Sequence, residues 1–325
     1  MATINNRNAV TAAGTKQRRG RPRMSALARR EAIAAYLFTA PFAIGFLLFT
    51  AFPMLFSLYM SFHDWNITSP PVWVGTENYA RIFDDPLVRT SAYNTLYYVL
   101  FSVPIGLALS FALAMLLNQR VRGEGIWRTL FYLPSVVPAV ATTILWMFIF
   151  NTDFGLLNSV LVPLGIQKIK WLGDPSFTKP SLIIMSLWGA GGGTVIFLAA
   201  LKNVPMELYE AATIDGANAW HRFRHITIPM VSPALFFQLI ISVIGTLQIF
   251  TQAYVLVGRN STSFGGVRNS LLFFVPYLYQ NAFRFFKLGY ASALAWVLFI
   301  VILVITLIQF KTLGSRVYYE FDQRR

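Results

Sequence analysis

Six uninterrupted apolar stretches, near residues 33–62, 92–118, 126–150, 181–201, 231–257 and 288–310, divide the chain. A helix of about 20 such residues crosses the ~30 Å hydrocarbon core of a bilayer. The single charge within them is Arg128, at the edge of the third. The pattern therefore predicts an all-α integral membrane protein with six transmembrane helices. A seventh apolar segment, 270–283 (SLLFFVPYLYQNAF), is short, interrupted by Pro276 and flanked by Arg268 and Arg284. Counting it as a span would reverse the side of the C-terminus, so it is read as an interfacial or re-entrant helix.

Charge orients this pattern. Lys and Arg number 27 against 13 acidic residues, which in a soluble chain would suggest nucleic acid. With charged residues at 12% and hydrophobic ones at 56%, the basic excess must instead be read by position. Eighteen basic residues fall in the N-terminal tail, 119–128, the loop after the fourth span and the C-terminal tail; nine fall in the other three loops. Both termini are thus expected in the cytoplasm. Residues 1–31, with eight Lys/Arg and almost no large apolar side chain, read as a disordered basic tail, 32–311 as one membrane domain with a cytoplasmic loop at 202–230, and 312–325 as a second tail.

Chemistry is mostly excluded. Without cysteine there is no disulfide, thiolate metal site or cysteine nucleophile. No GxxxxGK[ST] occurs, so no nucleotide is expected on such a loop. Ion-coupled carriers place ionisable groups inside spans, and here there are essentially none. His63, His221 and His225 lie in loops. The last two are an i, i+4 pair without a third ligand beside them, read as solvated, so neither a catalytic nor a metal site is expected. What the spans do carry is neutral polarity at helical spacing. Gln238, Ser242, Gly245, Gln248 and Gln252 share one face of the fifth, Ser135, Pro138, Thr142 and Trp146 one face of the third, and Trp188 stands beside Gly189, Gly191, Gly192 and Gly193 in the fourth. Two readings stay open: helix packing through small and amide residues, or a watery path. A path of amides, hydroxyls and aromatic rings without fixed charge would suit a neutral polyhydroxylated solute.

The largest charged island of the second half lies between the fourth and fifth spans, Glu207 to Pro229 (ELYEAATIDGANAWHRFRHITIP). Pro205 fits a first helical turn, Gly216 after Asp215 fits a helix end, and Pro229 is expected to act as a stop, giving helix, glycine break, helix. Leu208, Ala211, Ala212 and Asp215 would share one side and Glu207, Glu210 and Ile214 another.

The spacing Glu210-Ala211-Ala212, three residues, Gly216, nine residues, Ile226, one residue, Ile228-Pro229 resembles the EAA signature of the membrane subunits of binding-protein-dependent ABC importers, with isoleucine where leucine usually precedes the proline. FPMLFSLYMSFHDWN, VGTENYARIFDDP, FYLPSVVPAVA and FKLGYASALAWVLF extend the likeness to the six-span MalF-type permeases of di- and oligosaccharides or glycerol phosphate. The resemblance implies a type I importer transmembrane domain in the cytoplasmic membrane of a bacterium or archaeon. It implies as partners a second, related permease, two ATPase subunits that hold ATP and Mg, and an extracytoplasmic solute-binding protein, with no cofactor on this chain. Glu207, Glu210, Ala211, Ala212, Asp215, Gly216, Ile226 and Pro229 would then contact or position the ATPase. The third, fourth and fifth spans would line a sugar path, with Ser135, Trp146, Trp188, Gln248 and Gln252 as its candidates. A non-sugar cargo such as glycerol 3-phosphate, or a facilitator needing no partner, are the competing readings.

Overall fold

The computed structural model describes residues 25–119, 122–257 and 265–314. The remainder of both expected tails, including residues 1–24 of the first and 315–325 of the second, lies outside the described residues. The chain divides into two compact units at Phe56/Ser57.

The first unit holds α1 (Ala26–Phe46), a π-helical turn at Leu47–Ala51 and the start of α2 (Phe52–Met60). Helix α1 begins five residues before the expected tail ends, because Ser25 caps it, its hydroxyl accepting from the Ala28 N–H at 3.2 Å. Residues 26–31 are therefore helical, a correction to the expectation of a disordered tail up to residue 31.

The second unit opens with a two-stranded antiparallel ribbon, β1 (His63–Asp64) and β2 (Val72–Trp73), in register His63 to Trp73. Buried Asn78 donates to the Ser61 and His63 carbonyls, both at 2.9 Å, and ties the ribbon to α3 (Glu77–Asp84). Asp85 caps the 32-residue α4 (Pro86–Leu117), with proline in its first turn.

Two of the six expected spans are broken. The third consists of α5 (Glu124–Val136) and α6 (Ala139–Ile149), bent by 97°. Pro138 has no N–H to continue the ladder and pushes Val137 to extended backbone, ψ 132°. Beyond the short α7 (Leu156–Leu161), the fourth is α8 (Pro175–Leu187) and α9 (Gly191–Lys202), bent by 46° around Gly189. Among the described residues four helices are long and apolar enough to cross a bilayer, or six if each bent pair is one span. Helix α8 starts earlier than expected and so includes Lys179. Its ammonium donates to Asn94 Oδ1 at 3.0 Å and lies 4.8 and 4.9 Å from the Tyr93 and Tyr97 ring centroids, which offsets the charge at the helix's first turns.

After the charged island come α10 (Met206–Ile214) and α11 (Ala219–Arg222), then α12 (Ile228–Leu247) and α13 (Thr251–Val257). Helix α14 (Phe274–Phe283) is the seventh apolar segment. It has ten residues, too few to span, and buries Phe274, Pro276, Tyr277, Gln280, Asn281 and Ala282. It is a helix embedded against α4 and α15 (Leu288–Leu313). Among the described residues four apolar clusters hold the unit together, the largest around Phe150, Trp171, Leu182, Ala253 and Phe273.

The glycine run packs helices. A Cβ on Gly191 would stand 1.8 Å from the Phe131 carbonyl oxygen, so α9 and α5 meet backbone to backbone.

Candidate functional site: the charged island and the cavity above it

The island folds by local rules. Pro205 is the N-cap of α10, one position before the first turn that its sequence suggested. At the other end Gly216 takes φ +78°, Ala217 N–H donates to the Ala212 carbonyl at 2.8 Å and Gly216 N–H to that of Thr213 at 3.1 Å. This pair of bonds is a Schellman ending, which a residue with a Cβ closes at a cost. Asn218 Oδ1 then accepts from the His221 N–H at 2.8 Å and starts α11. Pro229 does not act as a stop. It occupies the first turn of α12, after a π-helical turn at Phe223–Thr227, and the helical run continues to Val257.

One side of the island is anchored. The Tyr209 and Thr227 hydroxyls are 2.9 Å apart, Arg222 Nη1 donates to Thr213 Oγ1 at 2.9 Å, and Tyr209 and Ile226 pack on the cluster of Ala114, Leu117, Phe197, Leu201 and Val231. Lys202, at the end of α9, pairs with Glu124 of α5 at 2.7 Å. The other side is open: Glu207, Glu210, Ala211, Asp215 and Gly216 are exposed, beside Ile214 at 87% and Trp220 at 65% exposure. An exposed face that combines carboxylates with large apolar residues is suited to another protein surface. His221 and His225 stack with centroids 4.0 Å apart, and among the described residues no group of three potential metal ligands occurs.

Two adjoining cavities are lined by α4 together with α12, the helix that follows this island. The first, about 260 Å³, is lined by Tyr98, Ser102 and Ser110 of α4, Ser186 and Gly193 of the α8–α9 pair, and Gln238, Ser242 and Gly245 of α12. The second, about 320 Å³, shares Tyr98, Gly245 and Thr246 and adds Gln248, Phe250 and Gln252. The polar face of the fifth span thus runs along both, and none of their lining residues is charged. Gln248 and Gln252 face the second cavity. Trp146 and Trp188 line neither; they meet edge to face at 6.1 Å. Ser135 lines neither and donates to the Tyr132 carbonyl at 2.7 Å. Sequence reading missed α4, where Tyr98, Ser102, Gly106 and Ser110 recur every four residues along the first cavity.

Far along the chain from the island, a carboxylate ties three elements. Asp85 Oδ2 accepts from the Tyr290 hydroxyl at 2.8 Å and from that of Tyr277, with Arg81 5.1 Å over the Tyr290 ring. Burial opposes the charged form of Asp85, but the two hydroxyls and the Leu87 and Val88 N–H groups outweigh it and hold its carboxyl below the ordinary range. Burial, and then the bond to Asp85, push Tyr277 up to about 12.

Residues 102–318 match the family model described as binding-protein-dependent transport system inner membrane component. The chain is 42% identical over 295 residues to the probable ABC transporter permease protein YesP of Bacillus subtilis, covering 90% of this chain and 94% of that one. It is 36% identical over 297 residues to the lactose transport system permease protein LacF of Rhizobium radiobacter, covering 90% and 98%. Its fold is similar to a chain of a bacterial alginate ABC transporter solved in complex with an alginate pentasaccharide-bound periplasmic protein, with TM-score 0.76, 23% identity and coverage of 89% and 98%.

Proposed function

This chain belongs to the family of inner membrane components of binding-protein-dependent transport systems, and from that premise we propose that it is one of two permease subunits of an ATP-driven importer of a di- or oligosaccharide. The observation that carries this reading is an exposed, glycine-broken island of EAA spacing that leads into α12, a helix lining two uncharged polar cavities. Hydroxyls and amides can both donate to and accept from a sugar's hydroxyls, and the absence of lining charge disfavours an anion. The lactose specificity in the name of one relative supports the same class of cargo.

In this reading α10 and α11 dock into an ATPase subunit that holds ATP and Mg, and this chain catalyses nothing. Glu207, Glu210 and Asp215 place the docked helices electrostatically, Gly216 sets their angle, and Tyr209 and Ile226 transmit their movement to α4, α9 and α12 as rigid bodies. The island and both termini face the cytoplasm, and an extracytoplasmic binding protein delivers the sugar from the other side. A periplasmic protein bound to the alginate transporter supports such a partner.

The test is uptake of labelled mono-, di- and oligosaccharides by liposomes holding this chain with its co-purified partners. We expect ATP- and binding-protein-dependent uptake of one sugar class. Gly216→Pro or Glu210→Lys should abolish that uptake while the protein remains in the membrane; normal uptake by either variant would refute the coupling role. Uptake by this chain alone, without ATP, would make it a facilitator instead.

A further inference from the structure

Between the buried Ala282 and the buried Gly289 run five exposed residues, Phe283-Arg284-Phe285-Phe286-Lys287. The three phenylalanines are 63%, 50% and 49% exposed. Rings left facing water in this way form an apolar patch that a fold ordinarily covers. Here the backbone holds them out. Arg284 and Phe285 N–H groups both donate to the Gln280 carbonyl, at 3.0 and 2.9 Å, Lys287 N–H to that of Asn281 at 2.8 Å, and Leu288 N–H to that of Trp65 at 2.9 Å. Phe286 is left at φ +53°, a region that a bulky residue occupies only where its surroundings over-determine it.

The position of this turn says what covers it. The next residue, Leu288, starts α15, which among the described residues holds the most apolar 18-residue stretch of the four candidate spanning helices, with mean hydropathy 2.9. Chain continuity therefore sets the turn at the depth where a span leaves the hydrocarbon. At that depth aromatic rings lie at the boundary of acyl chains and headgroups, and Lys or Arg side chains reach lipid phosphate. We propose that residues 283–287 are a membrane-interface anchor, with the three rings in that boundary and Lys287 on the phosphates of anionic lipids. The anchor pins the C-terminal end of α14, a helix whose own surface is buried in protein, and it accounts for a lysine in a loop where alternation of charge expects few basic residues.

Because this chain contains no cysteine, Phe285→Cys and Phe286→Cys variants of the full chain each accept one fluorescent label, attached before the chain is assembled with its partners. In nanodiscs of phosphatidylcholine and phosphatidylglycerol, quenchers carried high on the lipid chains should dim both labels several-fold more than aqueous iodide does. Stronger quenching by iodide would overturn the proposal. So would shielding from both quenchers, since that places protein on the turn. Lys287→Gln leaves the rings in place and should abolish the protein's preference for phosphatidylglycerol over phosphatidylcholine around this turn, read from quencher-labelled lipids of each kind; an unchanged preference would refute the phosphate contact.

Discussion

Asp85 shows how much one side chain can join. It caps α4, accepts from Tyr277 of α14 and Tyr290 of α15, and sits beside Arg81 of α3. Since its folded-state pKa is depressed, its charged form stabilises the fold above the ordinary aspartate value of 3.8, and that contribution is lost as pH falls through the lower folded value. Tyr277 works in the opposite sense: its raised value favours the fold below 10.0 and ceases to do so as pH climbs towards 12. Thermal unfolding of the wild type in detergent should therefore weaken below about pH 4, and Asp85→Asn should flatten that acid limb while lowering stability at neutral pH. An unchanged acid limb in the variant would show that the carboxylate contributes nothing there. Little of this was legible beforehand, because Asp85 and Tyr290 lie 205 positions apart and no local pattern pairs them.

At the scale of elements, apolar length predicted helices at all six segments because a bilayer leaves the backbone no other partner than itself. It could not place the breaks. Pro138 ends one helix and turns the next by 97°, whereas Pro104 sits inside α4 and Pro229 opens α12 without ending the helical run. The same residue type thus breaks one helical run and is carried by two others. The glycines divide in the same way. Gly191 is pressed on Phe131, whereas a Cβ on Gly189 would meet nothing closer than 3.5 Å. Gly191→Ala should destabilise by about 1–3 kcal/mol, as overpacking against backbone does, and Gly189→Ala by much less. Paired melting curves of the two variants check this, and equal losses would refute the close packing of α5 and α9.

For the whole molecule, the consequential feature is a polar interior without fixed charge, running beside the fifth span from Gln238 to Gln252. If a neutral sugar occupies it, Gln248→Leu or Gln252→Leu should lower uptake efficiency roughly five- to tenfold, about one hydrogen bond's worth, with ATP hydrolysis by the partners retained. Undiminished uptake would move the sugar elsewhere. The sequence by itself determined the membrane class, the six segments, the island of Glu207 to Pro229 and its glycine hinge. These follow from terms that are local and additive: hydropathy summed over one helix, caps within four residues, and the φ that glycine alone takes freely. The tertiary structure alone decided that Tyr98, Ser110 and Ser186 join Gln238 around a cavity, that Trp146 and Trp188 face each other, and that α14 is buried while the turn after it is not. Each of these depends on which faces of distant helices meet, and a helix's face is chosen by its neighbours.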